Sequence, residues 1–280
     1  NIAYAVSLGD NVDVSTNATQ WDRAVAAYDI LATGGVPYGL VAGNHDGAPA
    51  STAEFNARFA TRKTVQASYG GRYGTSDYDN YYTLFEAGGM QFVAVFIEMD
   101  DGMTSAAHPV LQWANSIMQM YSNRRAILVT HNLLNGSTST SFSTQGSAIF
   151  DALKGNANLF LMLGGHLDVA RRRSDTGTNG NTIYSLRSDY QMADGQQSGY
   201  LRIMRFSPAE NLIYVSTYSP TQNKEYPNEV TENNFTLPYA MSSSGTFSVI
   251  GTANAAAGSD ATITWNGLTD GTAYEWYAVA

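Results

Sequence analysis

Four short β-rich apolar runs each end in a motif that carries Asp, Asn or His, and this recurring pattern limits the folds open to the chain. The runs cover residues 2–8, 36–42, 126–129 and 159–163. Runs of this length, bounded by Gly, Asn or Asp, are typical of strands buried on both faces, with polar residues where the strand gives way to a loop. Because strand ends of an open α/β sheet meet in one crevice, we expect the four motifs to converge.

Helical patterns alternate with these strands and predict an α/β fold with a β-rich second half. Asn17 can cap a helix whose apolar stripe runs from Trp21 to Leu31 and which ends at Gly34, so the first two strands form a βαβ unit. Further helices are expected over 53–59, 110–121 and 149–153. Strands are expected over 81–86 and 90–99, a Gly- and Tyr-rich loop over 69–78, and mainly period-two patterns over 169–218.

The motifs carry the ligand types of a metal site. In chain order they are Gly9-Asp10-Asn11-Val12-Asp13, Gly43-Asn44-His45-Asp46, Thr130-His131-Asn132 and Gly164-Gly165-His166-Leu167-Asp168. Carboxylate, amide and imidazole ligands together suit Mn, Fe or Zn better than the all-oxygen sites of calcium. Two such divalent ions about 4 Å apart lower the pKa of a shared water and hold the attacking and leaving oxygens of a phosphoryl group.

Within these motifs the residue types predict different roles. A carboxylate can bridge two metals, so Asp10 is expected to be the bridging ligand. His45 is expected to act as an acid rather than as a ligand, because the adjacent side chains of Asn44 and His45 diverge. Asp46 is expected to orient the imidazole of His45.

Each motif taken alone also has an ordinary structural interpretation. Asp10 fits a turn that follows a strand, and the polar run from Asn44 to Asp46 fits a turn as well. His131 fits a core histidine whose hydrogen bonds are satisfied. For Asp168, the interpretations as a metal ligand and as a solvated residue at a strand end fit equally well. The occurrence of all four motifs in one chain favours the metal site.

The order Gly-Asp-x-x-Asp, Gly-Asn-His-Asp, Thr-His and Gly-His-x-x resembles the calcineurin-like, or purple acid phosphatase-like, metallophosphoesterases over roughly residues 1–218. The resemblance implies a β-sandwich flanked by helices, with two divalent metals (Mn, Fe or Zn) at the strand ends. It also implies hydrolysis of phosphoesters by a metal-bound hydroxide, with His45 protonating the leaving group. The residues that match one complete metal position are Asp10, Asn44, His131 and His166.

The chain departs from the family pattern in two places. The family's first motif, Asp-x-His or Asp-x-Gln, lies on a strand ahead of Gly-Asp-x-x-Asp, and nothing precedes Asn1. We therefore expect an N-terminally truncated domain whose second metal position lacks its main ligands. The fourth motif usually ends in His, where this chain has Asp168. Because residues two apart on an extended strand share a face, Asp168 is expected to place a carboxylate beside His166.

The predicted domain organisation has three parts. Residues 1–220 form the metallophosphoesterase domain, residues 221–240 a linker, and residues 241–280 a partial module. Residues 261–279 alternate apolar and polar side chains around a Gly-bearing turn, as in a β-hairpin. This stretch resembles the middle strands of a fibronectin type III module.

Composition limits the partners and the chemistry. The formal net charge of −9 argues against long nucleic acid and anionic membranes, while a small phosphorylated or phosphodiester substrate held by metal remains compatible. No apolar stretch is long enough to span a bilayer. The chain has no cysteine, which excludes a thiolate nucleophile and a Cys-ligated zinc site within it. Its composition and fibronectin-like tail predict a secreted or cell-surface protein, with a bacterial source.

One alternative from a different functional class stays open. An extracellular binding or adhesion protein can keep a phosphoesterase scaffold with impaired catalysis, and the partial second metal position and the fibronectin-like tail favour it. The motifs determine neither the oligomeric state nor whether the ester is a monoester, a diester or a nucleotide, because loops shape the pocket.

Overall fold

The computed structural model describes residues 2–136, 140–196, 198–226, 232–241, 249–256, 258–269 and 276. Its helices are α1 (Ala18–Thr33), α2 (Ala53–Thr64), α3 (Pro109–Met120) and α4 (Thr144–Leu153). Its strands are β1 (Ala5–Ser7), β2 (Tyr38–Leu40), β3 (Tyr69–Arg72), β4 (Tyr81–Ala87), β5 (Met90–Ile97), β6 (Arg125–Thr130), β7 (Leu159–Gly164), β8 (Arg171–Thr176), β9 (Thr182–Arg187), β10 (Leu201–Ser207), β11 (Leu212–Ser219), β12 (Lys224–Glu225) and β13 (Phe235–Pro238).

A seven-stranded sheet with the order β3-β4-β5-β6-β7-β9-β8 forms the centre of the fold. Its inner strands β5, β6, β7 and β9 run parallel; β4 pairs antiparallel with β5, β3 pairs antiparallel with β4, and β8 pairs antiparallel with β9. Strands β1 and β2 form a separate parallel pair joined through α1, which confirms the predicted βαβ unit. Strands β10 to β13 form an antiparallel sheet. The carboxyl ends of the inner parallel strands therefore lie along one edge.

Alternation along β5 shows how the layers are built. Val93 and its odd-numbered neighbours pack with apolar residues of α3 and α4, among them Leu111 and Ile149. Phe92 and its even-numbered neighbours pack with the four-stranded sheet, among them Ile213. Since successive side chains of a strand point to opposite faces, the large sheet buries one face under helices and the other under the smaller sheet. This arrangement confirms the predicted α/β class, a sandwich flanked by helices.

Helix α1 follows the sequence pattern closely. The Asn17 side chain accepts hydrogen bonds from the backbone N–H groups of Thr19 and Gln20, and Gly34 is the C-cap. Trp21 is completely buried in a third apolar cluster, which α1 and α2 form with the β1–β2 pair. The Asn17 cap and the buried Trp21 thus both support the predicted start and the predicted apolar face of α1.

Several element boundaries differ from the prediction. Helix α2 continues past Phe59 to Thr64. The added turn stays packed because Lys63 is buried with its ammonium over the ring of Phe55. Helix α4 begins at Thr144, where Ser143 caps it by accepting a hydrogen bond from the N–H of Gly146. The predicted loop over 69–78 contains the short strand β3.

Strand β1 is also less buried than predicted. The apolar run suggested burial on both faces, yet Val6 is 37% exposed. Among the described strands, β1 pairs with β2 alone. A strand with one described neighbour leaves part of its surface open, whereas β7 lies between two strands and is buried throughout.

The C-terminal residues are only partly described by the structure. The predicted linker over 221–240 contains β12 and β13, which pair with β11 and extend the smaller sheet. In the predicted module, residues 249–256 and 258–269 are described and contain no strand. Most of the predicted hairpin beyond residue 269 lies outside the described residues, so the fibronectin-like module stays a prediction.

Within the described part of the chain, no helix is both long and apolar enough to cross a membrane.

Candidate metal centre

The four sequence motifs converge where β1, β2, β6 and β7 end. The Nε2 atom of His131 lies 3.1 Å from Oδ1 of Asn44 and 3.3 Å from Oδ2 of Asp10. The Nδ1 atom of His166 lies 2.9 Å from Oδ1 of Asn44 and 3.2 Å from Nε2 of His131. The structure therefore brings together the four side chains that the sequence assigned to one metal position.

The hydrogen bonding of His131 bears on whether a cation fits among these ligand atoms. Its Nδ1 lies 2.6 Å from the carbonyl oxygen of Leu8, so Nδ1 carries a proton and donates a hydrogen bond to that carbonyl. In the neutral ring Nε2 then presents a lone pair to the amide oxygen of Asn44 and the carboxylate of Asp10, which are both acceptors. Such a convergence of lone pairs is stabilised by a cation between them.

The spacing of these atoms fits a transition-metal cation. Metal–nitrogen and metal–oxygen bonds of about 2.0–2.2 Å in a tetrahedral zinc site put neighbouring ligand atoms roughly 3.3 Å apart. The separations around His131 Nε2 are 3.1 to 3.3 Å. Burial and the nearby His131 lower the pKa of His166, which favours the neutral ring that binds metal. The donor set and the spacing together fit a divalent ion.

Two glycines allow the ligands to approach so closely. Gly9 has φ +96°, and a Cβ atom there would lie 2.3 Å from Nδ1 of His131. A Cβ atom on Gly43 would lie 2.3 Å from Oδ1 of Asp10. Any larger residue at either position would displace a ligand, so the Gly in each of the first two motifs has a steric reason.

Asp46 does not orient the imidazole of His45, contrary to the sequence prediction. Its carboxylate is completely buried and accepts hydrogen bonds from the backbone N–H groups of Asn11, Val12 and Gly43 and from Nδ2 of Asn11. Four N–H donors capture both oxygens, because the loops after β1 and β2 both turn their amides toward this point. Asp46 therefore joins the two ligand loops to each other.

Asp13 contacts the His45 ring instead. The Nδ1 atom of His45 lies 2.7 Å from the carbonyl oxygen of Asp13 and 3.5 Å from its Oδ1. The hydrogen bond to this carbonyl raises the pKa of His45, and the charges of Asp10 and Asp13 add to the effect while burial opposes it. The backbone N–H of His45 donates to Oδ1 of Asp10 at 2.9 Å, so the ring lies beside a ligand and is 41% exposed.

Asp168 does not lie beside His166, because the backbone between them is not extended as the sequence prediction required. The chain turns after β7, where His166 and Val169 have φ values of 74° and 78°. The Oδ1 atom of Asp168 accepts a hydrogen bond from the N–H of Val169 at 3.0 Å, and the residue is exposed. Alternation applies only to extended strands, so Asp168 does not share a face with His166 here.

A cavity of about 480 Å³ opens onto the metal-ligand cluster. It is lined by Asp10, His131 and His166 and, from the segment after β9, by Asp189 and Tyr190. Sequence reasoning overlooked Asp189. The available signal was the same as for the other motifs, since an Asp follows a short buried strand, but Arg187 and Ser188 separate it from the apolar run.

A second acidic group lies between β4, β5 and α2. Carboxylate oxygens of Asp77, Asp79 and Glu98 lie within 4.8 Å of one another. Asn80 donates hydrogen bonds to Asp77 and Glu98, and the buried ammonium of Lys63 provides positive charge nearby. Burial raises the pKa of Glu98 to about 7 and lowers that of Lys63 to about 8. Internal donors and an internal cation thus already satisfy this group.

The chain is similar in sequence to a known bacterial protein. No family model matches the chain. The chain is 32% identical over 237 residues to the uncharacterised protein YvnB of Bacillus subtilis (strain 168), and the match covers 81% of this chain and 18% of that relative. The chain thus spans less than a fifth of the length of this relative.

Two solved structures share the architecture. A dimetal phosphatase from Danio rerio superposes with a TM-score of 0.54 at 15% identity, over 85% of this chain and 84% of that one. The purple acid phosphatase PPD1 from yellow lupin seeds superposes with a TM-score of 0.52 at 14% identity, over 85% of this chain and 46% of that one. The chain therefore shares the fold of these two phosphatases.

Proposed function

We propose that the chain is a metal-dependent hydrolase of phosphoesters, and that Asp10, Asn44, His131 and His166 hold its divalent cation. The observation that carries the proposal is the approach of ligand atoms of Asp10, Asn44 and His166 to within 3.1–3.3 Å of Nε2 of His131 at the strand ends, which is about one ligand–ligand distance. When bound, the cations would activate water and neutralise the charge that develops on the phosphoryl group. The shared fold with phosphatases supports the same reaction class.

Different residues of the chain serve metal binding and proton transfer. Leu8 fixes the tautomer of His131 through its carbonyl, so that Nε2 stays available as a ligand. His45 lies beside Asp10 and has a raised pKa, which suits a group that protonates the leaving oxygen. The carbonyl of Asp13 holds the His45 ring in place.

We propose a small phosphorylated molecule or a phosphodiester as the substrate, since the cavity of about 480 Å³ is of ligand size. Secretion or display at a cell surface remains a proposal from composition, and so does a second divalent ion beside the first.

The test is a hydrolysis assay on the full-length gene product, stripped of metal and reloaded with Mn²⁺, Zn²⁺ or Fe²⁺. A panel of monoester, diester and nucleotide substrates would identify the ester class. We expect turnover that depends on metal and is lost in His131→Ala together with metal affinity. In His45→Gln we expect turnover to fall by about 10²- to 10⁴-fold with metal affinity retained.

His108→Ala is the matched control, because His108 lies 3.6 Å from Asp100 and outside the ligand cluster. It should keep both metal binding and turnover. Unchanged turnover in folded His131→Ala would contradict the proposal. A metal-loaded protein that hydrolyses no ester of the panel would instead favour the alternative, a binding or adhesion protein on a phosphoesterase scaffold.

A further inference from the structure

The strand beside β7 brings an unassigned carboxylate to the same end of the sheet. Strands β7 and β9 are parallel, with Gly164 opposite Arg187, and the N–H of Ser188 donates to the carbonyl of Gly164 at 2.9 Å. Asp189 follows Arg187 by two residues, just as His166 follows Gly164 by two residues. Because neighbouring parallel strands run in the same direction and in register, Asp189 and His166 occupy equivalent positions after the two strands.

Both residues face the same space. The cavity of about 480 Å³ is lined by Asp10, His131, His166 and Asp189. One oxygen of Asp189, Oδ1, accepts a hydrogen bond from the N–H of Gln191 at 3.1 Å. Within the described part of the chain, its other oxygen has no hydrogen-bond partner. Asp189 therefore lines the cavity that the ligand cluster also lines, and among the described residues one of its carboxylate oxygens accepts no hydrogen bond.

Asp168 differs from Asp189 on each of these points. It is exposed, it is not among the residues that line the cavity, and Oδ1 caps the N–H of Val169. The turn that begins at His166 carries it away from the strand direction.

The surroundings of Asp189 disfavour its charged form on balance. Burial raises the pKa of Asp189 and the charges of Asp168 and Asp10 act in the same direction, while the hydrogen bond from the N–H of Gln191 and the charge of His131 oppose them. A carboxylate in such surroundings is destabilised unless positive charge lies nearby. Among the described residues, none makes a salt bridge with Asp189.

We propose that Asp189 is a further metal ligand, which supplies a carboxylate to a divalent transition-metal ion in this cavity in the place that the sequence pattern gave to Asp168. The inference rests on the proposed metal-dependent function, since it adds a ligand to the same centre. Its chemistry matches that centre, because carboxylate and imidazole together suit Mn²⁺ and Zn²⁺.

A metal titration separates the two aspartates. Asp189→Asn and Asp168→Asn remove the same charge from neighbouring loops, so they form a matched pair. In calorimetric titration of the metal-free protein with Mn²⁺, Asp189→Asn should weaken binding at least about 10-fold or remove one bound ion. Asp168→Asn should bind like the parent protein. Parent-like binding by Asp189→Asn, or selective loss in Asp168→Asn, would overturn the inference.

A spectroscopic test detects ligation directly and does not depend on the asparagine variant folding. The chain has no cysteine, so Asp189→Cys introduces its only thiol. Added Cd²⁺ should produce a thiolate-to-metal charge-transfer band in the difference spectrum against the parent protein. Asp168→Cys should produce none. A band from Asp168→Cys alone, or none from Asp189→Cys while Cd²⁺ binds, would also overturn the inference.

These outcomes separate failure of the metal centre from failure of the added ligand. If the parent protein binds neither Mn²⁺ nor Cd²⁺, the proposed metal-dependent function fails, and the role of Asp189 fails with it. If the parent binds and His131→Ala does not, while both aspartate variants bind normally, the metal centre stands and only the role of Asp189 is wrong.

Discussion

The Nδ1 atom of His131 donates a hydrogen bond to the carbonyl oxygen of Leu8 across 2.6 Å. Leu8 follows β1 and His131 follows β6, so this bond joins the end of the two-stranded sheet to the end of the seven-stranded sheet. It also directs Nε2 of His131 at Asn44, and in the neutral ring this nitrogen carries the lone pair. A single backbone carbonyl thus both connects the two sheets and orients the proposed metal ligand His131.

Replacing Gly9 by Ala should disturb this contact selectively. The added Cβ atom would lie 2.3 Å from Nδ1 of His131, at a residue with φ +96°. Since the imidazole must move, we expect metal affinity to fall about 10- to 100-fold, as when a residue that orients a ligand is lost. Isothermal titration with Mn²⁺ measures the change.

Gly88→Ala is the control for the backbone strain of a positive φ. Gly88 has φ +56°, and a Cβ atom added there would have no neighbouring atom within 4 Å, so the substitution strains a turn without touching the site. It should lower the stability slightly and leave metal affinity unchanged. Equal losses of metal affinity in both variants would contradict the steric explanation.

Asp46→Asn should destabilise the fold through the two ligand loops. The buried carboxylate accepts N–H donors from Asn11, Val12 and Gly43, and an asparagine would turn its own NH₂ group toward some of them. When the NH₂ group of the asparagine faces backbone N–H groups, these buried donors are left unpaired. We therefore expect the free energy of unfolding to fall by about 3 kcal/mol. Urea denaturation gives the value, with Asp22→Asn as the exposed control. A difference below about 1 kcal/mol between the two variants would be inconsistent with this role.

Arg187→Met should be similarly costly, for a reason that the sequence does not reveal. The Arg187 side chain is fully buried and donates to the carbonyl oxygens of Leu134, Gly136 and Val169. Removing the guanidinium leaves three buried acceptors without their donor, which we expect to lower the free energy of unfolding by at least about 3 kcal/mol. The control is Arg205, which lies over the Tyr214 ring, and Arg205→Met should cost less than about 1 kcal/mol. Comparable thermal stabilities of the two variants would rule out this role.

The buried Glu98 predicts a pH dependence of stability. Burial first, then the neighbouring carboxylates, raise its pKa from 4.5 to about 7. Between these values Glu98 holds more protons in the folded state than in the unfolded state, so its contribution to stability is greatest below pH 4.5 and is lost as the pH rises through 7. The full shift corresponds to about 3 kcal/mol. Lys63, whose pKa is lowered to about 8, acts at higher pH.

Glu98→Gln should remove this slope, as measured by urea denaturation at intervals between the two pKa values of Glu98. The exposed Glu86 provides a comparison, and Glu86→Gln should leave the slope in place. A slope that persists in Glu98→Gln would show that another group causes it.

Much of the fold could be predicted because its signals are local. The Asn17 cap, the Trp21 stripe and the Gly34 end of α1 all lie within one helix, and the structure confirms all three. The prediction for helix α4 is too short, because its start depends on a Ser143 cap within a polar stretch that has no apolar periodicity. The prediction of full burial for β1 is wrong, because a run of apolar residues does not show how many neighbours a strand has.

The candidate site divides in the same way. Asp10, Asn44, His131 and His166 could be identified as candidates because each follows a strand closely, and parallel strand ends must meet. The partner of His45 could not be identified, because Asp13 and Asp46 are equally plausible in sequence and only the positions of the surrounding N–H groups separate them. The proposal of Asp189 in place of Asp168 depends on the turn at His166, which the sequence does not reveal.

The sequence by itself therefore determined the strand and helix order, the α/β class and the four candidate ligand residues, because periodicity, caps and motif order are properties of short segments. Tertiary structure alone decided which oxygen or nitrogen each polar side chain meets. Hydrogen bonds form over about 3 Å, and the bond from His131 to Leu8 joins residues 123 positions apart. That distance along the chain is closed only by the packing of the two sheets.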